Sequence, residues 1–115
     1  MTGVVIITFV AAAVLGAWLR VGLAATLNRP SFPTGTLVTN VLGSFVAGVA
    51  SVRLDGSLAT VATIGALGAF TTFSTFANEI ADDVGGRRLG RACGYGAATV
   101  VGAIGAAVVG IALAR

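Results

Sequence analysis

Gly65-Ala66-Leu67-Gly68-Ala69-Phe70-Thr71-Thr72-Phe73-Ser74-Thr75-Phe76 lies within the third apolar stretch of the chain and reads unlike the rest of it. Two glycines, four hydroxyl residues and three phenylalanines share these twelve positions. Gly68 and the β-branched pair Thr71-Thr72 weaken a helix there. Inside a bilayer, an interrupted helix persists only where protein or a cavity satisfies the freed backbone groups. The stretch therefore predicts an all-α membrane protein whose third helix is broken near residues 68–72. Unwound carbonyls at such a break can hold a hard cation such as Na⁺. Phe70, Phe73 and Phe76 are spaced by three and share one face if helix persists. Such a stripe serves either as packing or as a row of positive ring edges facing an anion.

The composition around this stretch agrees. Of 115 residues, 57% are hydrophobic and only 10% charged, and the mean hydropathy is +1.01. Soluble domains carry roughly 25% charged residues. One crossing needs about 20 apolar residues, so four need about 80. The chain divides accordingly into helices over residues 4–27, 35–52, 58–80 and 92–114, a single membrane domain spanning 1–115. Asn28-Arg29-Pro30 and Pro33 end the first helix. Thr34 is placed as a possible N-cap of the second. Arg53-Leu54-Asp55-Gly56-Ser57 forms a turn, and Asp82 through Arg91 a polar loop.

One cysteine, Cys93, excludes an intrachain disulfide, and the absence of histidine removes His-based metal sites and triads. All seven basic residues are arginines. They cluster at helix ends, which fits membrane topology rather than nucleic acid. The N-terminal apolar run lacks a basic leader and is too long for a secretory signal, so it is read as an uncleaved first helix. Arg29, Arg87, Arg88 and Arg91 stand on one side against Arg53 and Arg115 on the other. The positive-inside rule puts the first group in the cytoplasm and the termini outside. A balance this even permits insertion in either orientation.

Gly94, Ala98, Gly102, Ala106 and Gly110 recur at every fourth position of the last helix. Thr39, Gly43, Ala47 and Ser51 make a similar seam in the second. Small residues at this spacing let another helix approach closely, either within one subunit or between subunits. Four thin helices cannot enclose a pore, which favours an oligomer. Thr36, Asn40 and Ser44 form a polar stripe at i, i+4 and i+8. Asn40 either ties two helices together or faces a water-filled path. Arg20, past the midpoint of the first helix, either snorkels to the interface or draws anions into a vestibule.

The run GALGAFTTFSTF, followed by Glu79, resembles the third-helix signature of the Fluc (CrcB) fluoride channels. GTLVTNVLGSFVAG is similar to that family's pore segment, and GAWLR to its Gly-Ala-x-x-Arg motif. The likeness covers nearly the whole chain in length, helix count and motif order. It implies an antiparallel, dual-topology dimer in a bacterial plasma membrane, with two fluoride pathways along the subunit interface. By motif position, Phe73 and Phe76 are the aromatic box and Asn40 donates to the ion. Thr36, Ser74, Thr75, Tyr95 and Thr99 are the candidates for a polar track. Arg20 sits at a vestibule, and Glu79 is the acid just beyond the phenylalanines. The carbonyls of Gly68 and Thr71 hold a structural Na⁺, two from each subunit. Phe70 departs from the family pattern, where an aliphatic residue is commoner, and is read as packing. Ala103 stands where a serine is expected. The second subunit is an identical chain or a paired homologue.

The function this implies is passive fluoride export, not enzymatic catalysis, with no nucleic-acid partner. The alternative is a proton-coupled antiporter of the small multidrug-resistance type, with similar length and four helices. That mechanism needs a membrane-embedded carboxylate in the first helix. Helix 1 has no acid and carries Arg20 instead.

Overall fold

A computed structural model describes residues 2–115, and the described residues form helices without a strand. Helix α1 (Gly3–Leu27) starts where the Thr2 hydroxyl accepts the Val5 N–H. It ends at Asn28, whose N–H bonds to the Ala24 carbonyl. Arg29 and Phe32 then exchange two backbone hydrogen bonds of 3.0 and 3.1 Å, closing a tight turn around Pro30-Ser31. Helix α2 (Thr34–Arg53) follows. Thr34 is its first helical residue and not its cap; Pro33 holds the cap position without a side-chain bond. Proline has no N–H to satisfy and a restricted φ, which suits it to a helix start.

The third crossing is built from four pieces: α3 (Gly56–Thr60), a π-helical segment (Val61–Leu67), α4 (Gly68–Phe70) and α5 (Phe73–Gly85). Only Thr71 and Thr72 are extended, with ψ of 155° and 117°. The break is thus narrower than the expected 68–72. Gly68 keeps helical angles of −61° and −37°, and the β-branched pair alone leaves the helix, as its χ1 stiffness favours. The two extended residues also interrupt the phenylalanine stripe. Phe70 is buried at 7% exposure and Phe73 stands 79% exposed.

The expected polar loop 82–91 is a correction. Helix α5 runs through Gly85, and only three residues separate it from α6 (Leu89–Ala114). The charges close the turn instead of filling a loop. Asp83, 1% exposed, accepts from Arg88 Nε at 3.0 Å and Arg91 Nε at 3.1 Å. Arg91 Nη1 also donates to the Pro30 carbonyl at 2.6 Å, joining this turn to the α1–α2 connection. A buried carboxylate needs such partners to stay charged.

All four crossings are long and apolar enough to span a bilayer. Lipid tails are as apolar as leucine, so helix pairs here depend on close backbone approach. A Cβ on Gly48 would strike the Ala107 backbone, and one on Gly110 the Phe45 carbonyl. A Cβ on Gly16 would likewise strike the Ala66 carbonyl. Gly102, where a Cβ would press on Val41, and Gly110, whose partners the sequence left open within or between subunits, thus face α2 of the same chain. Gly94 meets nothing within 4 Å. Gly110→Val is expected to destabilise the fold by about 1–3 kcal/mol through overpacking, read as a lower denaturation midpoint in detergent. Gly94→Ala is expected to leave that midpoint unchanged.

Candidate functional site

The break in the third crossing is held by one side chain from another helix. Asn40 on α2 accepts the Thr72 N–H on Oδ1 at 2.9 Å and donates from Nδ2 to the Thr72 carbonyl at 3.2 Å. The amide therefore replaces both helical bonds that an extended residue gives up, as a buried backbone requires. Because Thr72 N–H only donates and its carbonyl only accepts, the orientation of the Asn40 amide is determined. One Nδ2 proton remains beyond this pair.

Two carbonyls are released in exchange. In an unbroken helix, the Thr72 N–H would bond to the Gly68 carbonyl; here it is taken by Asn40. The Thr75 N–H would bond to the Thr71 carbonyl, and it is taken by the Thr72 hydroxyl at 3.2 Å, which caps α5. The last helical bond before the break is Thr71 N–H to the Leu67 carbonyl at 2.8 Å. Gly68 and Thr71 thus present oxygen donors, the chemistry a hard monovalent cation takes.

Both residues border a groove of about 470 Å³. Asn40, Ser44, Thr72, Phe73, Phe76 and Thr99 line it, together with Ala103. Ser44 donates to the Asn40 carbonyl at 2.7 Å. The Phe73 and Phe76 rings lie 6.1 Å apart at 53°, and Phe76 lies 5.2 Å from the Tyr95 ring at 59°. Tilted pairs of this kind bring the positive edge of one ring towards the negative face of its neighbour. The groove joins polar groups of α2, the break and α6 that are distant in sequence.

Thr36, Glu79 and Tyr95 lie outside the groove lining and form a second polar cluster. Thr36 Oγ1 donates to Glu79 Oε1 at 2.9 Å. Tyr95 is fully buried, with Glu79, Thr36 and Thr99 as polar neighbours. Its hydroxyl makes no hydrogen bond of acceptable geometry, nor do Glu79 Oε2 and Thr99 Oγ1. The cluster therefore retains unused donors and acceptors in a buried place. Its support comes from a residue that the sequence marked only as a helix end. Asn28 Oδ1 accepts the Thr36 N–H at 3.1 Å, and Nδ2 reaches Thr36 Oγ1 at 3.5 Å. Phe32 packs edge-on to Tyr95 at 5.5 Å.

Ser74 and Thr75 sit on the first turn of α5, where the Thr72 hydroxyl lies 3.4 Å from Ser74 Oγ and 3.1 Å from Thr75 Oγ1. Arg20 joins neither group. Its Nε is buried and without a hydrogen-bond partner.

Four apolar crossings, one of them interrupted beside a groove lined by polar groups and two phenylalanine rings, define a multi-pass membrane protein. Residues 7–111 match the family described as CrcB-like protein, Camphor Resistance (CrcB), and the chain belongs to that family. It is 44% identical over 52 residues to the fluoride-specific ion channel FluC of Ralstonia pickettii, covering 44% of this chain and 41% of that protein. To the fluoride-specific ion channel FluC of Pseudomonas putida it is 48% identical over 40 residues, 33% of this chain and 32% of the relative. Each match spans less than half of the relative's length.

Asn40→Ala is expected to leave the Thr72 amide and carbonyl unpaired, at about 1–3 kcal/mol for each buried group. Faster amide hydrogen exchange at Thr72, with a lowered denaturation midpoint, checks this. Asn40→Asp, which sets a carboxylate oxygen against the Thr72 carbonyl, is expected to be at least as destabilising as Asn40→Ala.

Proposed function

We propose that this chain forms a fluoride channel that lets the ion leave the cytoplasm of a bacterium down its electrochemical gradient. The observation that carries this reading is the groove at the broken crossing, within a family whose relatives bear the name fluoride-specific ion channel. Fluoride is small and holds its water tightly, so a pathway must offer replacement donors without a full cation that would trap it. The remaining Asn40 proton, nearby hydroxyls and the edges of Phe73 and Phe76 are such donors. The first turn of α5 adds amides that carry a partial positive charge. The reading is of a conduit, not an enzyme. A proton-coupled antiporter is disfavoured, because its membrane-embedded acid is missing from α1.

One subunit leaves this groove open along one side, with Phe73 exposed. A second subunit, identical or a paired homologue and inserted in the opposite orientation, would close it and give two pathways. Antiparallel pairing would bring the Gly68 and Thr71 carbonyls of both subunits to a shared Na⁺. That ion would neutralise four carbonyl dipoles and fix the break without entering the conduction step. Thr36, Glu79, Tyr95 and Thr99 would extend the polar track beyond the phenylalanines, with Ser74 and Thr75 at its near end. Arg20 would raise the local anion concentration at a vestibule.

Liposomes holding only this chain are expected to release fluoride, read with a fluoride electrode, and to retain chloride. Intact dimers without fluoride flux would reject a self-sufficient channel. Phe76→Ile is expected to slow efflux about fivefold, since an aromatic contact is worth roughly 0.5–1.5 kcal/mol; unchanged flux would return the rings to packing. Exchange of Na⁺ for a large organic cation is expected to lower the dimer fraction in detergent, measured by mass photometry.

A further inference from the structure

A second groove of about 330 Å³ lies towards the end of the molecule that carries the α2–α3 turn. Val46, Val49 and Ala50 of α2 form one wall, Ala62 and Ala66 of the π-helical segment the other, and Arg53 stands at the mouth. Arg53 is the last residue of α2. Val46 lies two turns back, about 10 Å deeper along the helix axis. The slot therefore runs from the membrane interface into the apolar layer.

Its arginine is held by a main-chain carbonyl and forms no ion pair among the described residues. Arg53 Nε donates to the Ala114 carbonyl at the end of α6. The ion pairs among the described residues both belong to Asp83, at the opposite end of the molecule. Asp55, close in sequence, makes no ion pair with Arg53 there. The terminal N–H groups of Arg53 keep their donors and charge above an apolar slot. A guanidinium fork suits a phosphate oxygen pair.

We propose that this groove seats one acyl chain of an anionic phospholipid, with its headgroup phosphate on Arg53. The charge selects an anionic over a zwitterionic headgroup, and the apolar walls hold the chain. This site lies on a different face of α2 from the groove at Asn40, and Leu67 stands between the two.

Native mass spectrometry of the full chain, released from nanodiscs with equal phosphatidylglycerol and phosphatidylcholine, tests the proposal. Phosphatidylglycerol is expected to be retained about fivefold over phosphatidylcholine, the preference one arginine confers at an anionic surface. Arg53→Gln is expected to bring the ratio close to parity, and Arg29→Gln, at the other end, to leave it unchanged. Val46→Trp fills the deep end from a position already 41% exposed and is expected to remove bound lipid with Arg53 in place. Equal retention of both lipids by the parent chain overturns the proposal. So does an unchanged preference in Arg53→Gln or Val46→Trp. Equal losses in Arg53→Gln and Arg29→Gln would signify diffuse attraction and reject the groove. Millimolar inorganic phosphate is expected to leave the lipid bound; its displacement would assign Arg53 to free anions instead.

Discussion

The two hydrogen bonds between the Asn40 amide and Thr72 are the constraint on which the broken crossing depends. In hydrocarbon no water is present to accept an orphaned N–H, so a helix can open only where protein supplies the missing partners. Asn40 supplies both from one side chain, and the Thr72 hydroxyl supplies the next. Everything peculiar to the site follows from that substitution. The carbonyls of Gly68 and Thr71 lose their amides, Phe73 turns outward while Phe70 stays in, and α5 begins with a fresh N-terminus. A polar side chain in lipid is here both a structural tie and a groove-lining group. Of the readings that the sequence left open for Asn40, the tie between helices is the one seen, and the same residue also lines the groove.

Support for the site is layered away from this pair. Ser44 rests on the Asn40 carbonyl one turn along. Gly43 lets Phe70 and Thr71 lie against α2, since a Cβ there would overlap the Thr71 methyl. Farther along, Asn28 holds Thr36 against Glu79, and Arg91 ties the α5–α6 turn to Pro30. The polar cluster is thus anchored to a short, charge-closed end of the bundle.

The sequence showed the four crossings and the weak point of the third because both are properties of composition along a short window. The pairing of Asn40 with Thr72 was not legible, since the residues lie on different helices and nothing in either window names its partner. Asn28 escaped notice for a related reason: it reads as a helix terminator, which it also is. The Asp82–Arg91 segment was misjudged as loop because charge density signals exposure until Asp83 finds two arginines. The π-helical segment left no mark in the residues, and the small-residue seam of α6 left its partner undetermined. Packing against α2 resolved Gly102 and Gly110. Phe70 was separable from Phe73 only by its departure from a family pattern, and its burial agrees with packing.

The mid-membrane glycine contacts join the first crossing to the third, through Gly16 and Ala66, and the second to the last, through Gly48 and Gly110. During synthesis, therefore, the first helix enters the membrane well before its main docking surface exists, and the second waits for the end of the chain. Neither seam can close as a simple hairpin of neighbours. Assembly of the subunit is accordingly a late, concerted event, and a ribosome that stalls before α6 would leave Asn40's helix in the bilayer without its closest companion.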